Sequence, residues 1–176
     1  MEVLKTLYFF LPAGMANIVP ALFKKARFLN YPIDFNFKIN KRPVIGSHKT
    51  YRGLFFGVLF AIITAGIQFL VGGCYPSLSI VEYTQTNFLV IGFLLGFGAL
   101  FGDLVKSFFK RRVRIEPGKP WWGFDQTDWI IGAIILSSII IKYSLIQIIS
   151  LVIFYGIMHL IINLLGWELK IKKNKF

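Results

Sequence analysis

The sequence predicts an all-α integral membrane protein of five transmembrane helices, with a charged cavity open to the cytoplasm and small cytoplasmic loops. Three observations predict it. The chain of 176 residues is 56% hydrophobic yet carries a formal net charge of +12, which suits a membrane protein with basic loops better than a soluble domain. Segments 6–23, 53–81, 83–102, 129–141 and 143–167 contain no Asp, Glu, Lys or Arg. Eighteen of the twenty basic residues fall between Lys24 and Arg52, between Lys106 and Lys119, or in the tail from Lys170 to Lys175, leaving only Lys5 and Lys142 for the other side. The positive-inside rule then places the amino terminus outside and the carboxyl terminus in the cytoplasm, in a multi-pass protein of the cell membrane. A chain of this length makes one domain, 1–176.

The predicted spans are about 4–23, 53–73, 84–106, 123–142 and 144–167, near the ~20 residues that cross a ~30 Å hydrocarbon layer. Pro12, Asn17 and Pro20 interrupt the first, and Lys5 is its only basic flank, so it reads as a retained, kinked helix rather than a cleaved signal peptide. Between the first two spans, Ile33 to Asn40 alternates apolar and polar residues and predicts a short strand; Arg112 to Ile115 alternates too and is its expected partner. In the third span Gly92, Gly96, Gly98 and Gly102 thin the helix for close packing. The fourth carries Asp125 and Asp128 in its first turns, where acids below the head groups face a watery cavity rather than lipid. His159, in the fifth, is expected to hydrogen-bond between helices, and Trp121 and Trp122 to anchor at the interface or stack on a base.

The single cysteine, Cys74, excludes an internal disulfide framework and a Cys-based zinc site. Nucleic acid is not the expected partner despite the charge, because no recognition motif carries the cations and they lie between apolar spans. Lipid head groups and a nucleotide fit better.

Three constellations carry the chemistry. Gly46-Ser47-His48-Lys49-Thr50-Tyr51-Arg52-Gly53 sits where the first basic loop enters the second span. A helix start there offers free N–H groups to phosphate, Gly46 permits close backbone approach, Thr50 can cap, and Lys49 and Arg52 add charge. An ordinary basic flank is the equal alternative. Asp103, Lys106 and Lys110 share one face of the third span at i, i+3 and i+7, with Ser107 beside them and Arg111 and Arg112 following. Asp103 and Lys106 neutralising each other is the simpler reading of that pair. Asp125 and Asp128 stand at i and i+3 with Gln126 between them; a helix cap accounts for one acid, whereas two together with Asp103 suit Mg²⁺. Asn17, a polar group between two prolines, either lines the cavity or bonds a freed carbonyl.

With these residues in place, the chain resembles the CDP-archaeol synthases, relatives of the CDP-diglyceride synthases. The resemblance runs through Pro12-Ala13, Ala16-Asn17, Pro20, Pro32-Ile33-Asp34, Lys49 to Gly53, Gly102-Asp103-Leu104, Lys106-Ser107, Lys110-Arg111-Arg112, Pro117-Gly118, Asp125 to Asp128 and Gly132-Ala133. The bacterial signature ends in His-Gly-Gly and Asp-Arg-x-Asp; here His-Gly-Gly is missing and Gln126 replaces the Arg, which favours the archaeal-type branch. The resemblance implies a membrane cytidylyltransferase that joins CTP to a lipid phosphate, giving CDP-archaeol from unsaturated archaetidic acid and releasing pyrophosphate, with Mg²⁺. Asp103, Asp125 and Asp128 would hold the metal and act with Lys106 in catalysis. Lys106, Lys110, Arg111 and Arg112 would hold the triphosphate, Lys49 and Arg52 the lipid phosphate. Gly46, His48, Thr50, Gly53, Ser107, Pro117, Gly118, Gln126 and Asn17 would complete the substrate site. The rivals are a phosphatidate cytidylyltransferase acting on diacyl lipid and a small membrane transporter. A transporter predicts charge throughout the membrane depth, whereas these residues sit at one end.

Overall fold

The computed structural model describes residues 1–81, 87–116 and 119–169. Its helices are α1 (Glu2–Phe9), α2 (Leu11–Leu22), α3 (Tyr51–Cys74), α4 (Phe88–Arg112), α5 (Phe124–Ser137) and α6 (Leu145–Glu168). The segment Glu2–Leu22 and helices α3, α4 and α6 are each long and apolar enough to cross a membrane. The helical integral-membrane class expected from the sequence is therefore the class observed.

Each start has a local cause. The Thr50 hydroxyl accepts from Gly53 N at the head of α3, and the Asn87 amide oxygen from Leu89 N at the head of α4. Ser144 and Gln147 exchange bonds at the head of α6. The α1–α2 joint is the work of Pro12, whose missing N–H leaves the Tyr8 carbonyl without its helical donor. The buried Gln68 amide on α3 donates to that carbonyl instead, and the Tyr155 hydroxyl on α6 donates to Leu7 O at 2.7 Å. The kink thus becomes the point where three helices are tied together.

The path alternates direction. Tyr8 meets Gln68 and Pro20 meets Gly53, so α2 and α3 run antiparallel. Gly92 over Ile62 and Gly96 over Val58 make α3 and α4 antiparallel, and Gly98 over Gly132 with Gly102 over Asp128 does the same for α4 and α5. Thr6 bonds Gln147 while Gly14 faces Tyr155, so α6 runs parallel to α1–α2. Hence the last turns of α2, α4 and α6 and the first turns of α3 and α5 gather at one end. There also lie the loops richest in Lys and Arg.

Two expectations are corrected. The fourth span, expected over 123–142, holds α5 of only 14 residues, about 21 Å. Ile139 to Ile141 leave the helix through turn bonds back to Leu136 and Ser137, and the Ser137 hydroxyl, 2.8 Å from the Tyr143 hydroxyl, ties the stretch to the head of α6. The strand expected over Ile33–Asn40 reduces to β1 (Lys38–Ile39), and its partner is β2 (Arg42–Pro43), not Arg112–Ile115. Asn40 and Lys41, both at positive φ, make the two-residue turn that hairpins prefer. Phe35 and Asn36 also lie at positive φ and break the alternation upstream. Arg112 still meets this hairpin, by side chain: its guanidinium donates to Pro43 O at 2.6 Å.

Candidate functional site

The site exists because α4 and α5 approach at backbone distance. A Cβ on Gly98 would stand 2.7 Å from Gly132 O, and one on Gly132 would stand 2.8 Å from Gly102 Cα. No side chain fits between, so the acidic start of α5 is pressed against the Asp103–Lys110 face of α4.

Lys106 is the centre. Its ammonium lies 3.2 Å from Asp103 Oδ1, 2.7 Å from Asp125 Oδ1 and 3.0 Å from Asp128 Oδ2. Lys110, also buried, reaches both oxygens of Asp125 at 3.0 and 2.9 Å. Lys49, arriving from the first loop, bonds Asp103. Asp125 also accepts from Trp121 N at 2.6 Å. Three acids and three lysines thus alternate in a partly buried cluster, the arrangement that makes buried charge tolerable. The simple reading of Asp103 and Lys106 as a neutralising pair holds, within a larger network.

Among the described residues no group of three His, Cys, Asp or Glu side chains is arranged to hold a metal ion. Two features nevertheless fit a divalent cation. Oxygens of three carboxylates converge on one ammonium, a hard oxygen donor set. Asp128 is the most buried of the three, at 6% side-chain exposure; its Oδ2 pairs with Lys106 at 3.0 Å, and its Oδ1 has no hydrogen bond. A cation at this point would engage the free Asp128 Oδ1 while Lys106 keeps Oδ2.

Beside the cluster opens a cavity of about 510 Å³, lined by Asn17, His48, Lys49, Thr50, Arg52, Gly53 and Asp103. Lys24, Asn30 and Ser47 line it too. Sequence reasoning held Ser47 within its first constellation but missed Lys24 and Asn30, which belong to no helix face; Lys24 was visible only as part of a basic loop.

The other expected residues are distributed as follows. Gly46, at positive φ, donates with Ile45 to Asp34 Oδ2, each at 2.8 Å, and Asn36 N donates to Asp34 Oδ1. Partial burial would raise the Asp34 carboxyl, but these backbone N–H groups outweigh it and hold it below the usual carboxylate range. Arg52 bonds Ala26 O while edging the cavity. Arg111 donates to Ile45 O and Ile115 O, and Arg112 to Pro43 O and Ile39 O. These bonds tie the first loop to the end of α4, and they use part of the donor set of the two arginines expected on the triphosphate. Ser107 is buried on the same helix as the cluster. Gln126 accepts from Gly123 N and caps α5. Pro117 and Gly118 lie outside the described residues. Trp129 Nε1 donates to His159 Nδ1 at 3.3 Å, bearing out His159 as a helix–helix bonder. The Trp121 ring packs on Phe124, while Trp122 is exposed.

Apolar helices of alternating direction around an acid–lysine cluster at one end define an integral membrane protein with a polar site facing one side. Comparison with known proteins makes this specific. The CarS-like family, described as CDP-archaeol synthase, matches residues 1–176. The CDP-archaeol synthase of Methanocaldococcus jannaschii is 37% identical over 172 residues, spanning 95% of this chain and 93% of that one. That of Methanococcus maripaludis is 35% identical over 170 residues, with the same coverage. A solved intramembrane enzyme for archaeal membrane lipid biosynthesis superposes with a TM-score of 0.74 at 25% identity, covering 90% of this chain and 92% of that one. The chain belongs to the CDP-archaeol synthase family. The expected membrane cytidylyltransferase of lipid biosynthesis is borne out at that level.

Proposed function

We propose that the protein transfers CMP from CTP to the phosphate of an isoprenoid ether glycerol lipid, giving a CDP-lipid and pyrophosphate, with Mg²⁺ held by Asp103, Asp125 and Asp128 on the cytoplasmic side. The observation that carries this reading is the convergence of three carboxylates on Lys106 beside a cavity edged by Lys49 and Arg52. The relatives named above supply the lipid class.

A phosphate oxygen of the lipid attacks the α-phosphorus of CTP; the new O–P bond forms as the bond to the β-phosphate oxygen breaks, and pyrophosphate leaves with that electron pair. The attacking phosphate monoester is largely ionised near neutral pH, so no side chain has to remove its proton. Lys106 and Lys110 would turn from the carboxylates toward the triphosphate and stabilise charge on the leaving group. Lys49 would hold the lipid phosphate at the mouth of the cavity, beside Asp103. The divalent cation, when bound, supplies the charge that brings two polyanions together. Orientation toward the cytoplasm is supported by the basic loops at the cluster end. Purified protein given labelled CTP, Mg²⁺ and either dialkyl or diacyl glycerol phosphate tests the reading. A CDP-lipid formed preferentially from the dialkyl substrate, and abolished by chelation, is expected; no CDP-lipid from either would overturn it.

A further inference from the structure

The first loop has two faces. Residues 29–33 run antiparallel to the head of α3: Ile33 N donates to Lys49 O at 2.8 Å, Tyr51 N to Tyr31 O at 3.0 Å and Arg52 N to Leu29 O at 2.8 Å. One face lines the polar cavity through Asn30, Ile33, Ser47 and His48. The other presents Phe28, Tyr31, Phe35 and Phe37, each more than half exposed. Exposed apolar patches of this kind mark contact surfaces. Helix α3 turns Phe55, Leu59, Ile63 and Ile67 outward at steps of four, a stripe that faces hydrocarbon. That stripe continues past the helix head into the loop. The Phe28 ring stands edge-on to Phe55 with centroids 5.6 Å apart, and the Phe35 ring packs on Tyr51 at 5.6 Å. The 24 residues of α3 span about 36 Å, longer than a ~30 Å hydrocarbon core, so its ends reach the head-group layer. The rings packed on its first turns lie at that level too. Lys25, Arg27, Lys38 and Lys41 are exposed beside them, and no acid pairs with these four among the described residues. Asp34, the single acid between Lys24 and Arg52, is committed to the N–H groups of Asn36, Ile45 and Gly46. The same loop holds Leu29, Phe35, Asn36, Asn40 and Lys41 at positive φ, a strained backbone of the sort that collects at functional segments.

We propose that the outer face of the first loop docks on the anionic leaflet beside the bundle. The rings of Phe28, Tyr31, Phe35 and Phe37 enter the head-group layer, and Lys25, Arg27, Lys38 and Lys41 pair with its phosphates. Aromatic side chains are favoured at that depth, and each Lys or Arg near an anionic surface strengthens contact roughly fivefold. A water-filled surround would leave the rings uncovered, and an acidic soluble partner would have to reach them across the same head groups. The wall of the polar cavity is then fixed from two sides: Arg111 and Arg112 tie it to α4, and the bilayer holds its outer face. This docking is independent of the reaction that the acid–lysine cluster performs.

Nitroxide labelling of the full chain in a Cys74→Ser background tests this without relying on turnover. The protein is placed in vesicles of a dialkyl glycerol phosphoglycerol, which is anionic, or of a dialkyl glycerol phosphocholine, which has no net charge. Labels are attached one at a time to Phe35→Cys, Phe37→Cys, Ser47→Cys and Leu59→Cys, and their collisions with oxygen and with a water-soluble nickel complex are compared. In anionic vesicles the labels at 35 and 37 should favour oxygen, as the label at 59 in the span does, while the label at 47 on the cavity side favours nickel. Changing Lys38→Glu and Lys41→Glu together should raise nickel access at position 35 severalfold in anionic vesicles. Position 59 should not change, which separates release of the loop from unfolding. Labels at 35 and 37 as open to nickel as the label at 47, in both kinds of vesicle, would overturn the docking and leave this face to a water-soluble partner. Oxygen preference at 35 that the double charge reversal leaves untouched in anionic vesicles would overturn it as well.

Discussion

The Lys106 ammonium on α4 stands 2.7 Å from the Asp125 carboxylate on α5, and the same nitrogen is within 3.2 Å of Asp103 and 3.0 Å of Asp128. One lysine thus occupies the point on which three acids converge. Three carboxylates by themselves would repel, so that deleting one would relieve strain. The interleaved lysines reverse that sign.

Asp125→Asn should therefore destabilise the protein, because Lys106 and Lys110 both lose a carboxylate partner. Breaking a buried pair from one side costs about 3 kcal/mol or more, and this partly exposed cluster should fall somewhat below that. Thermal unfolding in detergent checks it: a lower midpoint than the parent is expected, and an equal or higher one would show that repulsion among the acids outweighs their pairing with lysine. Replacing Lys106 and Asp125 together should cost less than the two single changes summed.

Gly102→Val touches no charged group yet should abolish activity. Its side chain would meet the Asp128 carbonyl and push α5 away, moving Asp125 and Asp128 from Lys106. Secondary structure by circular dichroism should persist while turnover falls at least a hundredfold, roughly what a misplacement of about 1 Å costs. Normal turnover would mean the seam tolerates separation.

Much of this architecture was legible in one dimension. Runs of apolar residues between charges marked the helices, although the fourth came out at only 14 residues, and Asp103, Lys106, Asp125 and Asp128 stood out because charge inside such runs is costly. What could not be read was pairing across the chain. Lys49 and Asp103 are 54 positions apart, and their contact joins what looked like separate lipid and nucleotide sites. Nor could the sequence show that Arg111 and Arg112, expected on the triphosphate, donate to the carbonyls of Ile45, Ile115 and Pro43. The alternation at Ile33–Asn40 misled because Asp34 gathers the Asn36, Ile45 and Gly46 N–H groups into a turn that no hydropathy pattern records.

Asp34→Asn should loosen that loop and raise the KM of both substrates, since His48 and Lys49 follow directly from it. The linkage has a definite sign. A carboxyl held low in the folded state adds stability that is complete above its unfolded pKa, about 3.9, and is lost as pH falls through the lower folded value. Unfolding measured from pH 6 down to pH 3 should show this acid loss in the parent and less of it in Asp34→Asn; identical profiles would remove Asp34 from the loop's support.

Topology is tested by cysteine labelling in a Cys74→Ser background. A cysteine at Ser79 should react with an impermeant reagent outside intact cells, and one at Asn40 should not. The reverse pattern would place the charged end outside.

The central claim, that the Asp103–Asp125–Asp128 cluster transfers a cytidylyl group to a lipid phosphate, is tested most directly by following α-labelled CTP into dialkyl glycerol phosphate. The parent, Asp103→Asn and Asp128→Asn should be compared at equal folded fractions. Label in a CDP-lipid with the parent and Mg²⁺, and none above background with either variant, is the result predicted. Label transferred equally well by Asp128→Asn would contradict it.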